Sequence, residues 1–440
     1  MLYLSTVILL ISPYLIFPIS AHSPISDIRS IFTNSIHNDD RDPTFPAMKA
    51  LILHAEARTS KLEDIQPPTP SLTEILISVK AIALNPIDPL YVAHPLAQTG
   101  RTIGSDFAGT IVSLGSSVPA HSNLRPGTRV AGFLQGACSV NDRPGAFAEF
   151  AVVEWDLVWS VPDDFSFEEA SGVSLVALTA AQAIWYRLGL PAPFEYDKVG
   201  VLEEHPEWTW AREGTRELPD TIDFFVHGAS TSVGLFAAQM MRNSAAVAGK
   251  RVRLFGAASK ARWEMLKAAP LEYDHLIDYR DEDWPEQIRK MTGDVGVHFA
   301  YDCISEGSSV EKVSSTLAIN GRSAIVRSRA GGAWKSDGLS FEPIYGAVWE
   351  GLGEEVQYQG MMVDRSPAAR DFAVAFYKWL GQAVGTSLKP VPVRRMPGGL
   401  SKVMEDGFQL LGSGNMDDRK IEREEDWMKP LSAEKLVYSL

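Results

Sequence analysis

The sequence predicts a two-domain α/β protein, a partly open β-barrel joined to a doubly wound parallel sheet. Three observations carry this expectation. From Met48 the chain runs in short apolar or alternating segments broken by Pro, Gly and Asp, the texture of a small barrel. From Thr221 apolar strands alternate with helix-period segments, as in a parallel sheet covered on both faces. The 440 residues, 45% hydrophobic and 22% charged, suffice for two cores and a shared cleft.

A formal charge of −14 argues against nucleic acid and anionic membrane surfaces, both of which attract cations. The two cysteines, Cys138 and Cys303, cannot build a disulfide framework or a Cys₄ zinc site, although a single bridge between them stays open. The body therefore reads as cytoplasmic. At the N-terminus Leu2 to Ile19 is almost wholly apolar, long enough for a signal or anchor, yet no Lys or Arg precedes it. A polar tail, Ser23 to Pro46, follows. The alternative, favoured here, is an upstream extension with Met48 as the working first residue.

The barrel strands are "MKALIL", "EILISVKAIAL", "AGTIVSLG", "TRVAGF" and "AEFAVVE"; from Ser171 "SGVSLVALTAAQAIWYRLG" has helical spacing. Phe194 to Asp220, charged and rich in Trp and Pro, reads as a tolerated surface insertion rather than a lid. Then come "TIDFFVHG", "ASTSVGLFAAQMMRNS", "RVRLFGAA", "SKARWEMLKAA", "HLIDY", "PEQIRKMTG", "GVHFAYDCI" and "GRSAIVR". A helix "AARDFAVAFYKWLGQA", a strand "PVPVRR", a helix "GLSKVMEDGFQLLG" and a final strand "EKLVYSL" complete the chain. The expected domains are an extension over 1–47, the barrel over 48–174, the dinucleotide domain over 175–364 and a return to the barrel over 365–440.

Asp223 to Gly234, "DFFVHGASTSVG", is the strongest local signal. A strand runs into Gly228, three hydroxyl residues follow, and Gly234 sits in the ensuing helix, so main-chain N–H groups can meet a pyrophosphate. The motif departs from G-x-G-x-x-G and draws its weight from the strand before and helix after. After the next strand the sequence offers Ser259, Lys260, Ala261 and Arg262, with no acid to hold ribose hydroxyls, which favours NADPH over NADH. The lesser alternative is that Lys260 and Arg262 are solvated helix-start residues. For metal the expectation is none: Cys138 has no neighbouring ligand, Cys303 lies in an apolar strand, and His94, His121 and His227 fall in unrelated segments.

"MKALIL", "AIALNPIDP", "IGSDFAGTIVSLGSSV", "RPGTRVAGF", "GAFAEFAVV" and "GASTSVG" resemble the zinc-independent, quinone-oxidoreductase-like branch of the medium-chain dehydrogenase/reductases. With "GACSVNDRPGAFAEF", "DYRDEDWPEQIRKMTG", "YDCIS" and "LSAEKLVYSL", the chain is most similar to the trans-acting enoyl reductases of fungal polyketide pathways. That resemblance implies a GroES-like barrel and a Rossmann domain. It also implies a monomer that reduces an acyl-carrier-bound enoyl thioester for a polyketide synthase or a synthase–peptide synthetase hybrid. Carried over, Asn85, Pro86, Ile87 and Asp88 border the nicotinamide; Ala229, Ser230, Thr231 and Ser232 hold the phosphates; Ser259, Lys260, Ala261 and Arg262 hold the 2′-phosphate. Tyr279 lies on the adenosine side, and Ser432, Ala433, Glu434 and Lys435 close over the cofactor. Cys138, Ser139, Val140, Asn141, Asp142, Arg143, Pro144 and Gly145 face the substrate, and Tyr345, Gly346, Ala347 and Val348 line the acyl channel. The chain departs from the pattern at Leu90, where many relatives have Lys, and in the Phe194–Asp220 insertion.

The residues do not name a proton donor. Tyr91 is the first candidate, against packing, solvent or the cofactor ribose. Two other functions compete with enoyl reduction: a soluble NADPH:quinone or enone reductase acting on free small molecules, and an inactive reductase-like binding or scaffold component.

Overall fold

The computed structural model describes residues 46–212, 217–334, 339, 341–358, 360–414, 416–419 and 423–440. The apolar segment Leu2–Ile19 and the tail to Phe45 lie outside the described residues. From Pro46 onward the chain is one compact unit.

The barrel sheet is centred on Glu74–Ala83, whose residues are almost continuously buried because both its faces are covered. It pairs antiparallel with Asp106–Leu114, Phe150–Glu154 and Lys435–Ser439. Arg129–Phe133 and Val158–Ser160 extend one side, and Val393–Met396 flanks the C-terminal strand on the other. A hairpin, Met48–His54 with Thr59–Ile65, covers the barrel and is bridged to it through Ala148 and Thr102.

The second sheet is six-stranded and parallel throughout. Its order is His275–Ile277, Arg251–Ala257, Thr221–His227, Val297–Asp302, Leu317–Ile325 and Ile344–Tyr345. The order reverses beside Thr221–His227, placing a crevice at the C-terminal ends of the central strands, where such sheets bind ligands. Helix Ser232–Ala248 begins at that point. Thr231 caps it, its hydroxyl accepting from Gly234 N at 3.0 Å, and Gly249 ends it at φ +62°. The fold is thus the GroES-like barrel plus Rossmann sheet that the sequence predicts.

Local differences have physical causes. "SGVSLVALTAAQAIWYRLG" forms an α-helix over Ser174–Ala181 that widens into a π-helix over Gln182–Arg187. "GLSKVMEDGFQLLG" breaks into 3₁₀, π and α turns, the first capped by Gly398 and starting at Gly399, both at positive φ. The insertion is no passing loop. Asp197 caps a helix over Lys198–Glu204, and Phe194 packs on Trp185, Phe372 and Trp379. His205 stacks on Trp208 at 3.8 Å and Trp208 on Trp210 at 5.7 Å, with Arg322 of the parallel sheet over the Trp210 ring. The Trp and Pro content that suggested a surface excursion is an aromatic wedge against the sheet. Trp208→Ala should therefore cost about 3 kcal/mol or more in urea unfolding, as for other buried Trp truncations. An unchanged midpoint would return the insertion to passenger status.

Candidate active site

The crevice at the end of Thr221–His227 has the features a dinucleotide requires. Gly228 turns the chain at φ +76°, and a Cβ at Gly234 would stand 2.5 Å from the Gly228 carbonyl oxygen, so only Gly lets the helix start this close. Ser230, Thr231 and Ser232 are half-buried around the N-terminus of a 17-residue helix, which favours anions by its free N–H groups and dipole. Ala229 N donates to Ala257 O at 3.0 Å, tying the loop to the end of the neighbouring strand. There Ser259 is half-buried, while Lys260 and Ala261 are exposed. Arg262 Nε donates to Ser432 Oγ at 2.9 Å. Tyr279 is 47% exposed beneath the Arg280 guanidinium, 4.6 Å from its ring centroid. A nicotinamide dinucleotide fits these residues.

The turn after Glu74–Ala83 is held by a buried polar cluster. Lys435 Nζ donates to Asn85 Oδ1 and, at 3.1 Å, to Asp106 Oδ2. Asn85 Nδ2 donates to Ser105 Oγ and to Asp106 Oδ2, both at 2.9 Å. Ser105 Oγ donates to Asp88 Oδ1 at 2.8 Å, and Asp88 Oδ2 accepts from Asn85 N at 2.7 Å. Leu175 N donates to the remaining Asp106 oxygen at 3.0 Å. Asn85, Asp88 and Lys435 are thus engaged with one another, and Pro86 and Ile87 complete the turn into the short helix Ile87–Ala93. Burial pushes Asp106 up, opposed by Lys435, and raises Asp88 to about 7. Ala433, at φ +60°, and Glu434, paired with Arg394, complete the C-terminal strap.

Across the crevice, a cavity of about 370 Å³ is lined on the barrel side by Leu90, Tyr91, His94 and Leu96, and on the sheet side by Arg327 and the Gly331–Ala333 loop. Tyr91 is 5% exposed; its hydroxyl accepts from Gln135 Nε2 at 2.8 Å, and burial holds the phenol well above its usual range. The loop from Cys138 to Gly145 contacts the segment 354–357, whose Val356–Tyr358 pairs antiparallel with Met361–Val363. Ser139 Oγ donates to Gln357 Oε1, and Arg143 Nη2 to Glu354 Oε1 at 2.6 Å. Asp142 pairs with Arg101, Asn141 Oδ1 accepts from Arg143 N, and Val140 is 40% exposed. Cys138 is buried, and Gly145, after Pro144, abuts the Ile103 carbonyl. Tyr345 is half-buried beside Arg187, which fills the space a Cβ on Gly346 would need; Ala347 is buried and Val348 half-buried. Gln135, Gln357, Glu306 and Arg327 were not singled out by the sequence. Each is polar and isolated in an unremarkable stretch, and only the fold brings them to the cleft.

His227 Nδ1 lies 2.9 Å from Asp302 Oδ1, with its ring stacked on Trp284. Burial raises Asp302, but His227 and hydrogen bonds from Ser309 and Ser305 outweigh it and hold the carboxyl low. Among the described residues, no group of three or more His, Cys, Asp or Glu side chains could hold a metal ion.

A family model described as the alcohol dehydrogenase GroES-like domain matches residues 71–163, and one described as zinc-binding dehydrogenase matches 232–339. The chain belongs to the medium-chain dehydrogenase/reductases. Within them it is similar to the trans-enoyl reductase ACTTS2 of Alternaria alternata, 31% identical over 261 residues, which is 59% of this chain and 66% of that relative. It is also similar to the trans-enoyl reductase traG of Penicillium crustosum, 28% identical over 391 residues, 86% of this chain and 98% of that protein. Among solved structures, mycobacterial Rv1454c complexed with NADPH shares the fold with a TM-score of 0.60 at 19% identity, over 89% of this chain and all of that one. No helix among the described residues is long and apolar enough to cross a membrane.

Lys435→Met leaves Asp106 buried without its cation and should cost about 3–5 kcal/mol in denaturant unfolding. Adding Asp106→Asn should recover part of that loss. The pH dependence has the opposite sign from a salt-bridged acid. Because the folded pKa of Asp88 is raised from 3.8 to about 7, the native state holds the proton longer, and stability falls as pH rises across that interval. Asp88→Asn should flatten the unfolding free energy between those limits; an unchanged slope would contradict the assignment.

Proposed function

We propose that the protein is a trans-acting enoyl reductase that uses NADPH to reduce the α,β-double bond of a carrier-bound polyketide thioester. It would act as a monomer with a polyketide synthase or a synthase–peptide synthetase hybrid. The observation that carries the reading is the juxtaposition of the Gly228–Ser232 loop with an acid-free cationic strand end and a cleft holding Tyr91. Similarity to trans-enoyl reductases over nearly the full length of traG supports it.

Gly228 to Ser232 would hold the pyrophosphate by main-chain N–H and hydroxyl groups. Ser259, Lys260 and Arg262 would hold the 2′-phosphate, with Arg262 fixed against the C-terminal strap by Ser432. When bound, the dinucleotide supplies a hydride to the β-carbon. The turn from Asn85 to Asp88 would form the floor under the nicotinamide, kept rigid by Lys435 and Asp106. The Cys138–Gly145 loop and Tyr345 to Val348 would enclose the acyl chain, with Ser139 and Arg143 tethering that loop to Gln357 and Glu354. Tyr91, whose hydroxyl donates to the Gln357 carbonyl at 3.4 Å, would be the first candidate to protonate the α-carbon, against solvent or the cofactor ribose.

Purified protein should oxidise NADPH in the presence of a pantetheine enoyl thioester, and far more slowly with a free quinone. The reverse preference would favour the small-molecule reductase. NADPH binding without turnover of any such substrate would favour an inactive binding component. Lys260→Ala and Arg262→Ala should each weaken NADPH by about tenfold while leaving NADH nearly unchanged, the worth of a hydrogen bond to a charged group. Tyr91→Phe should lower kcat by about 10²-fold or more; full turnover would dismiss Tyr91 as the acid.

A further inference from the structure

The same cavity holds a second group that the sequence did not suggest. Arg327 lies just past strand Leu317–Ile325 and is the only permanently charged side chain among the described residues lining the cavity. It shares that cavity with Tyr91 and the apolar Leu90. The guanidinium is 16% exposed and anchored on one side only, where its Nη1 donates to Glu306. Its remaining donors have no protein partner among the described residues. Arg327 therefore presents N–H groups, oriented by Glu306, to the cavity it shares with Tyr91.

Glu306 does not fully neutralise it. The carboxylate also accepts from Met416 N at 3.2 Å and lies within the field of a second, desolvated cation, Arg419. Two guanidiniums thus share one carboxylate. The turn that carries Glu306 is itself rigid. Asp302 Oδ1 accepts from Ile304 N and Ser305 N at 2.9 Å and also meets His227 Nδ1, while Oδ2 accepts from Ser309 Oγ at 2.6 Å. Ser305 Oγ accepts from Val326 N at 3.1 Å, and the Arg327 carbonyl accepts from Trp334 Nε1 at 2.9 Å. His227 immediately precedes Gly228, so the phosphate loop and Arg327 belong to one continuous hydrogen-bonded frame.

We propose that Arg327 is a catalytic residue that holds the thioester oxygen and stabilises the oxyanion formed there. This rests on the enoyl-reductase reading. Hydride addition makes a C–H bond at the β-carbon and pushes the π-electron pair towards the carbonyl, forming an enolate whose charge rests on oxygen. The enolate then takes a proton at the α-carbon, giving the saturated thioester and the oxidised dinucleotide. A preorganised cation favours the enolate over the neutral substrate, so its effect falls on kcat more than on KM.

The test compares Arg327→Gln with Glu306→Gln on crotonyl-pantetheine. Arg327→Gln should lower kcat about 10²–10³-fold with little change in KM. NADPH affinity, read by cofactor fluorescence, should stay near wild type. Glu306→Gln removes the charge of the pair but keeps an oxygen that can accept from Arg327 Nη1, so it should melt lower and lose far less kcat than Arg327→Gln. Guanidinium added to Arg327→Ala should restore part of the lost rate. Retained kcat in Arg327→Gln, or an equal fall in Glu306→Gln, would overturn the proposal and make the pair purely structural. Wild-type protein inert towards every enoyl thioester would instead overturn the functional reading itself.

Discussion

The contact of Lys435 with Asn85 and Asp106 is the constraint around which the cleft is organised. It joins residues 350 positions apart and stitches the last strand to the turn that leaves the central barrel strand. A single cation faces two buried carboxyls, so the cluster tolerates its charge only because every oxygen finds a donor and Asp88 can keep its proton near neutrality. The strand it locks also approaches the second sheet three residues earlier, where Ser432 accepts from Arg262. One short C-terminal strap therefore fixes the barrel floor and the cationic strand end together.

A second frame runs through the parallel sheet. His227 and Asp302 stand on adjacent central strands, at the points where those strands give way to loops. Their contact aligns the phosphate turn with the turn carrying Glu306, and Glu306 in turn positions Arg327. Dinucleotide and substrate oxygen would thus be referred to rigid strand ends, while Tyr91 stands on the barrel helix Ile87–Ala93. The Cys138–Gly145 loop is tied separately, through Ser139 to Gln357 of the short hairpin Val356–Tyr358 with Met361–Val363 and through Arg143 to Glu354 just before it.

Much of this was legible in the chain before folding. Strand alternation, the "GASTSVG" turn and the absence of an acid after Phe255 and Gly256 report local backbone needs, and local needs leave local patterns. Lys435 was read as a cofactor-closing residue, but its side chain is held within the barrel cluster; no pattern in "EKLVYSL" distinguishes those fates. Arg327, Gln135 and Glu306 left no trace because their meaning is entirely tertiary. The insertion misled for a related reason: Trp208 and Trp210 signal burial only when a partner such as His205 or Arg322 is known. The short helix Ile87–Ala93 and the two-residue strand Ile344–Tyr345 were also missed, being too brief to show a period.

The most direct test of the whole account follows the hydride. A single turnover of crotonyl-pantetheine with NADPH deuterated at the transferred position of C4 should place one deuterium on the β-carbon of a saturated thioester, by mass spectrometry, and none elsewhere. Label at the carbonyl carbon, or a saturated product without label, would contradict it.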